Sequence, residues 1–177
     1  MHELIVPISP EQKAFIERIR VAMEDYFQAD ARRIAHAHAV AGHARELLAY
    51  IDADPVLTLA VAYLHDIGIH EAERRHGSSA GNFQEIEGPP IARRLLEALA
   101  ASAQFIEDVS RIVGLHHTQN GVDAPEFRIL WDADALVNFD EILHGRKSAE
   151  IEQTLRRYMV TEAGYRAACR KYLSAGS

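Results

Sequence analysis

The stretch that most restricts the fold of this chain runs from Asp54 to Gly68. An Asp-Pro pair is a strong helix start, and the residues after the proline are apolar on almost every side of a helix. A helix that is apolar all round is buried, so the other elements must pack around it. It runs directly into His65 and Asp66. We expect Gly68 to end the helix in the left-handed conformation that glycine adopts at low cost.

The rest of the chain also predicts helices. Alternation typical of strands is absent, apart from one short extended segment at Leu4 to Pro7. Further helices are expected to begin near Ser9, Asp30, Gly88, Ser102 and Glu126, and one or two amphipathic helices to follow from about Ser148 to Leu173. The predicted fold class is all-α, a single domain over residues 1–177 with about seven helices.

The segment between Gly68 and Gly88 interrupts the helical pattern. Residues 77–82 read Gly-Ser-Ser-Ala-Gly-Asn, which are typical turn residues. A loop of this length in a compact domain is more often functional than idle. We therefore expect a flexible lid beside a functional site.

Composition and charge exclude several classes of protein. The chain has 177 residues, of which 48% are hydrophobic, enough for one domain with a core. Acidic residues outnumber basic ones by 26 to 19, and the basic ones are scattered, which disfavours binding to duplex nucleic acid. No apolar run is long enough to span a membrane, and a signal-peptide pattern is absent. With Cys169 as the single cysteine, the sequence predicts a cytoplasmic protein.

Candidate metal ligands occur on several helices, each on or near a face expected to turn inward. They are His36 on the second helix, His65 and Asp66 on the third, His116 and His117 at the end of the fifth, and Asp132 or Asp134 on the sixth. Taken singly, each has an ordinary structural explanation, such as a capping aspartate or a core histidine. Together they predict a transition-metal site, since imidazole nitrogens and carboxylate oxygens suit manganese, iron, cobalt, nickel or zinc.

The order of His36, the run His65-Asp66-Ile67-Gly68 and Asp134 resembles the motif of the HD-domain superfamily of metal-dependent phosphohydrolases. The resemblance covers about residues 32–138. It implies an all-α helical bundle in which the two histidines, the aspartate beside the second one, and Asp134 bind one divalent metal. Asp134 matches the motif better than Asp132, because the motif corresponds to the second aspartate of the Asp-x-Asp run.

The resemblance also leaves room for a second metal. Part of the superfamily has two further histidine positions between the His-Asp doublet and the last aspartate. Here His116 and His117 fall at the later position, and Glu87 falls at the earlier one, where a carboxylate replaces histidine. Two metals bridged by Asp66, or one metal with Glu87 in the first turn of a helix, are both open at this point. The expected cofactor is one or two divalent ions per chain.

Departures from the family pattern narrow the expected substrate. The Gly-Tyr-Pro signature of the cyclic-dinucleotide phosphodiesterases does not follow the histidine pair. Arg32 lies one helical turn before His36, where it is suited to contact a phosphate, as is Arg33. His70 stands where the superfamily often has a lysine, which makes it a candidate for the missing cation near the leaving group.

These residues predict hydrolysis of a phosphoester in a nucleotide or another small phosphorylated metabolite. A metal-activated water is the expected nucleophile, oriented by Asp66, with Arg32, Arg33 and His70 near the substrate. Two alternatives share the fold: a di-iron oxygenase, and a regulatory ligand-binding module without turnover. Assembly into a homo-oligomer is compatible with the sequence.

Overall fold

Nine α-helices and no strand occur in residues 7–173, the part of the chain that the computed structural model describes. The helices are α1 (Pro10–Phe27), α2 (Ala31–Leu48), α3 (Pro55–Leu64), α4 (Ile69–His76), α5 (Gly81–Ala98), α6 (Ala103–Val113), α7 (Pro125–Ile142), α8 (Ser148–Tyr158) and α9 (Glu162–Tyr172). The all-α prediction is confirmed, but the expected number of about seven helices is too small. Of the extended segment predicted at Leu4 to Pro7, residues 4–6 lie outside the described part.

Side-chain caps fix the helix starts that the sequence predicts. The Ser9 hydroxyl accepts a hydrogen bond from the backbone N–H of Gln12, whose side-chain oxygen accepts one from the N–H of Ser9 at 2.8 Å. This reciprocal pair is the capping box expected at the start of α1. At the start of α3, Asp54 Oδ1 accepts hydrogen bonds from the N–H groups of Val56 at 2.7 Å and Leu57 at 3.0 Å. Both boundaries therefore follow from local chemistry.

Helix α3 is the buried centre that its apolar sequence predicts. Most of its side chains are fully enclosed, and α1, α2, α6 and α7 pack around it. A smaller hydrophobic cluster joins the second half of α7 to α8 and α9. Its buried members are Ala135, Leu136, Phe139, Leu143, Ile151, Leu155 and Ala168. No helix between residues 7 and 173 has the length and apolar character needed to cross a bilayer.

The predicted lid between Gly68 and Gly88 is wrong, because α4 and the first half of α5 occupy it. Helix α4 has only eight residues and two buried side chains, so its apolar face is too short to be recognised in the sequence. Charged pairs support it instead, since Glu71 accepts hydrogen bonds from arginines three and four residues later. Helix α5 continues through Pro89 and Pro90, which the sequence places at a helix start. Only residues 77–80 separate the two helices.

Gly68 does not adopt the predicted left-handed conformation. Its φ of −79° and ψ of −9° are right-handed values that any residue adopts. The position instead needs glycine because another helix passes too close for a side chain. A Cβ atom on Gly68 would lie 2.5 Å from the backbone nitrogen of Gly88 and 2.8 Å from the carbonyl oxygen of Gln84. The contact brings the backbone of α5 directly against the turn that follows His65 and Asp66.

The substitution Gly68→Ala should lower the free energy of unfolding by about 2 kcal/mol or more, because the added methyl group must displace the α5 backbone. Gly42→Ala is the matched control. Gly42 lies inside α2, and a Cβ atom there would meet nothing within 4 Å. We expect this alanine to raise the free energy of unfolding by about 0.5–1 kcal/mol through helix propensity. Urea unfolding followed by circular dichroism measures both changes, and equal effects would contradict the proposed contact.

Candidate metal centre

Two histidines at helix ends are held in the orientation that a metal requires. His65 follows the last residue of α3, and its Nδ1–H donates a hydrogen bond to the carbonyl oxygen of Ala62 at 2.9 Å. His116 lies just beyond α6, and its Nδ1–H donates to the carbonyl oxygen of Val113 at 2.7 Å. In both rings Nδ1 therefore carries a proton, and Nε2 faces the candidate centre. A hydrogen bond from the other ring nitrogen commonly fixes the orientation of a metal-binding imidazole.

The first group of ligand atoms comes from α2, the end of α3 and α7. His36 Nε2 lies 3.2 Å from His65 Nε2 and 3.1 Å from Asp134 Oδ1. Asp66 completes the group, with one carboxylate oxygen 3.6 Å from His36 Nε2 and the other 3.7 Å from His65 Nε2. Three different segments of the chain thus direct nitrogen and oxygen atoms at one point. These are the four residues that the sequence motif predicts as ligands.

A second group shares Asp66 with the first. One carboxylate oxygen of Asp66 lies 3.5 Å from His116 Nε2. Asp66, His116 and His117 each offer a ligand atom within 4.8 Å of the other two, as do His36, His65 and Asp66. Both members of the predicted histidine pair therefore lie beside the doublet, and Asp66 is placed to bridge two ions.

The carboxylates of the centre stay ionised. Burial alone would raise the pKa of Asp66, but His65 and His116 hold it well below its usual range. The pKa of Asp134 is also lowered, because its hydrogen bond with His36 and the nearby ring of His65 outweigh burial. In turn, the two carboxylates overcome the effect of burial on His36 and raise its pKa. The centre thus offers negative charge to a cation.

Two other histidines are held neutral, which is the form that binds a metal. Burial lowers the pKa of His65, whose side chain is only 1% exposed. Desolvation and the adjacent ring of His116 lower the pKa of His117 to about 4. Both imidazoles therefore carry an available lone pair at neutral pH.

The donor set fits a divalent transition metal. His116 Nε2 is fully buried and has no hydrogen-bond partner in the described residues, although it faces an oxygen of Asp66 at 3.5 Å. A buried ring nitrogen without a partner is costly unless an ion or another polar group satisfies it. Imidazole nitrogens combined with carboxylate oxygens suit manganese, iron, cobalt, nickel and zinc.

A groove of about 630 Å³ opens beside the centre. Its walls are formed mainly by one face of α2 and one face of α7, and α4, α5 and the segment between them close one end. The lining residues are Arg32, Arg33, Ala35, His36, Ala39, Asp66, Ile69, Ser79, Gln84, His117, Asp134, Val137, Asn138 and Glu141. The predicted phosphate-binding residues Arg32 and Arg33 thus share a cavity with the metal ligands.

Glu87 is not brought to either group of ligands. Its carboxylate is buried and pairs with His76 Nε2 at 2.9 Å and with Arg75 at 3.6 Å, both on α4. The reason is helical geometry. Gln84 and Gly88 share the face of α5 that turns towards the centre, and Glu87 lies about 100° away from Gly88 around the helix. The predicted alignment of Glu87 with a family histidine therefore does not bring its side chain to the candidate metal ligands.

His70 also lies away from the predicted position. Its Nε2 forms a 2.8 Å hydrogen bond with Asp30, the residue that caps α2, and its ring packs against Tyr26 and Phe27. It does not line the groove. The expected cation near the leaving group is therefore not supplied by His70. This histidine instead ties the start of α4 to the start of α2.

Sequence reasoning missed Gln84 and Tyr158. The Gln84 amide donates to the carbonyl oxygen of Ser79 at 2.8 Å, and its own oxygen is buried without a partner in the described residues. Helical periodicity places it one turn from both Gly81 and Gly88, a signal that is lost when the segment is taken for a loop. Tyr158, at the end of α8, lines a small pocket beside the centre. Its sequence carries no comparable signal.

Comparison with protein families matches the HD domain over residues 33–138, more than half of the chain. The chain belongs to the HD domain family. A search of proteins with curated functions gave no match for this HD domain. Among solved structures, it is similar to a crystal structure of a predicted HD superfamily hydrolase from an uncultured Thermotogales bacterium, with a TM-score of 0.58 and 24% identity. That match covers 93% of this chain and 86% of the other, and the predicted family resemblance is confirmed.

We expect this HD domain to bind two manganese ions per chain at saturation, because Asp66 belongs to both groups of ligands. His117→Ala should reduce the stoichiometry to one, and Asp66→Ala should abolish stable binding at both positions. Glu87→Gln should keep two ions, since Glu87 faces α4. Elemental analysis after removal of free metal measures the content, and thermal melting checks folding. Loss of an ion in Glu87→Gln would contradict the geometry.

Proposed function

We propose that the protein is a metal-dependent phosphohydrolase that hydrolyses a phosphoester of a nucleotide or another small phosphorylated metabolite. One observation carries the proposal: the ligand cluster of His36, Asp66 and Asp134 opens into the same groove as Arg32 and Arg33. A metal beside paired guanidinium groups is a suitable arrangement for a phosphoryl group, because both stabilise its negative charge.

The two arginines occupy the first turn of α2, on the wall of the groove. Arg32 is exposed and forms no ion pair within residues 7–173. Arg33 is half-buried, and its nearest carboxylate, that of Glu73, lies 3.9 Å away. Both guanidinium groups are therefore available to bind phosphate oxygens.

The metal ligands, Asp66 and the two arginines have separate roles in the proposed reaction. When bound, a divalent ion lowers the pKa of a coordinated water to about 7 and withdraws charge from a phosphoryl group. His36, His65, Asp66 and Asp134 would hold the first ion, and Asp66, His116 and His117 would hold the second. Asp66, ionised and in contact with both groups, is placed to orient the attacking water. Arg32 and Arg33 align the substrate by its phosphate oxygens.

The size and lining of the groove are suited to a nucleotide-sized substrate. A volume of about 630 Å³ falls in the range of small-molecule pockets. On α7, Asn138 and Glu141 offer hydrogen-bonding groups further along the groove from the centre. Such groups suit the hydroxyls or the base of a nucleotide rather than a simple phosphate.

A di-iron oxygenase is the second candidate, and the shared position of Asp66 between two ligand groups favours it. The two functions make different demands on the arginines, because an oxygenase has no general need for phosphate-binding cations. Iron-loaded protein that consumes oxygen with an organic substrate, and manganese-loaded protein that releases no phosphate, would together support the oxygenase. The complete set of ligands argues against a regulatory module that has lost its site.

Manganese-loaded protein should release phosphate or an alcohol from at least one member of a panel of nucleoside monophosphates, cyclic nucleotides and a chromogenic phosphodiester. Arg32→Ala should raise KM about tenfold, because one charge-assisted hydrogen bond to the phosphate is lost. Arg128→Ala is the control, since Arg128 pairs with Asp123 and does not line the groove. No turnover of any substrate, with two ions bound per chain, would refute the proposed function.

A further inference from the structure

A side chain from the C-terminal helices lies beside the metal centre. The family match ends at residue 138, yet Tyr158, the last residue of α8, lines a small pocket beside the ligands. The other residues that line this pocket are His65, His116, His117, Leu130, Trp131 and Asp134. Four of them belong to the two groups of metal ligands. Tyr158 is therefore a neighbour of the centre that the family motif does not include.

Two residues of α7 fix the chain at and after Tyr158. Trp131 Nε1–H donates a hydrogen bond to the carbonyl oxygen of Tyr158 at 3.1 Å. Asp132 is fully buried and accepts hydrogen bonds from the backbone N–H groups of Val160 and Thr161, each at 2.9 Å, and from the Thr161 hydroxyl at 2.6 Å. Both residues lie within one turn of the last motif aspartate. The segment that presents a metal ligand thus also positions the end of α8.

The ring of Tyr158 is held while its hydroxyl is free. The ring stacks on Trp131 with centroids 5.3 Å apart, and the edge of Phe139 contacts it at 5.3 Å. The residue is still 42% exposed, and its hydroxyl has no hydrogen-bond partner in the described part of the chain. Burial and the charge of Asp134 raise its pKa, so the phenol is protonated at neutral pH. It is an available donor beside the centre.

We propose that the Tyr158 hydroxyl donates a proton to the leaving oxygen of the phosphoester, a role that rests on the proposed phosphohydrolase function. The groove that contains Arg32 and the pocket that contains Tyr158 both border His117 and Asp134. A substrate bound by the arginines at the centre therefore has the arginines on one side and the Tyr158 pocket on another. His70 does not supply this proton, because it is bound to Asp30.

The reaction balances with this assignment. The water oxygen forms a bond to phosphorus and releases one proton to solvent, and the bond between phosphorus and the leaving oxygen breaks. The leaving oxygen keeps the bonding electron pair and takes the phenolic proton of Tyr158, so it departs as an alcohol. The phenolate then regains a proton from solvent, to which the side chain is open. General acid catalysis of this kind matters most for an alcohol that leaves poorly.

Tyr158→Phe tests the role, because it keeps the stacked ring and removes only the hydroxyl. Two esters of the same phosphate group should be compared, one with a ribose hydroxyl as leaving group and one with 4-nitrophenol, which departs without a proton. We expect kcat to fall about 100-fold for the ribose ester and to stay within about threefold for the 4-nitrophenyl ester. An equal loss for both esters, or no loss for either, would overturn the proposal.

A binding measurement separates this inference from the proposed function. Trp131 is the only tryptophan of the chain and stacks on Tyr158, so its fluorescence reports ligands at the pocket. Titration of manganese-loaded protein with inorganic phosphate should show about five- to tenfold weaker binding in Tyr158→Phe, because one hydrogen bond to a phosphate oxygen is lost. Unchanged affinity would refute the contact even if no ester were hydrolysed by the wild type.

Tyr165→Phe is the matched control for both measurements. Tyr165 is on α9, where its ring lies under Arg156 at 5.5 Å and does not line either cavity at the centre. We expect wild-type kcat for both esters and wild-type affinity for phosphate. Metal content should stay at the wild-type level in both variants, since neither tyrosine is placed among the ligands. A loss of metal in Tyr158→Phe would show a structural role and overturn the proposal.

Discussion

An ionised carboxylate enclosed by imidazoles is the constraint on which the structure of the centre depends. The Asp66 side chain is only 14% exposed, and the Nε2 atoms of His36, His65 and His116 lie 3.5–3.7 Å from its oxygens. A desolvated charge costs several kcal/mol unless it is compensated. The ends of α3 and α6 and the faces of α2 and α7 supply groups that a cation can join to this carboxylate. The packing of the helices thus places these groups around one buried negative charge.

Features set by neighbouring residues could be predicted from the sequence. Ser9 and Asp54 cap their helices because a polar side chain within three residues satisfies exposed backbone N–H groups. The burial of α3 follows from its composition alone. The order of the ligands, from His36 to Asp134, is also a linear signal, because each residue sits on a helix whose inward face can be recognised. Local chemistry was enough in each of these cases.

Features set by contacts between distant segments could not be predicted in the same way. Gly68 is a glycine because Gly88 of another helix touches it, and the sequence offers only a helix terminator as an explanation. The sequence motif predicts Glu87 at a family histidine position, but the orientation of α5 directs its side chain to His76. Tyr158 is positioned beside the centre by a hydrogen bond from Trp131 of α7 to its carbonyl oxygen. The orientation of a side chain around its helix axis and the approach of a distant helix leave no periodic pattern in the sequence.

The position of His65 and His116 at the carboxyl ends of α3 and α6 has a consequence for the order of binding. The carboxyl end of a helix carries roughly half a negative charge, and two such ends lie beside the ionised Asp66 and Asp134. An ion at the centre offsets this negative field and favours the approach of a phosphate. Metal binding should therefore strengthen the binding of the proposed substrate. By thermodynamic reciprocity, a bound phosphate must strengthen the retention of the metal by the same factor.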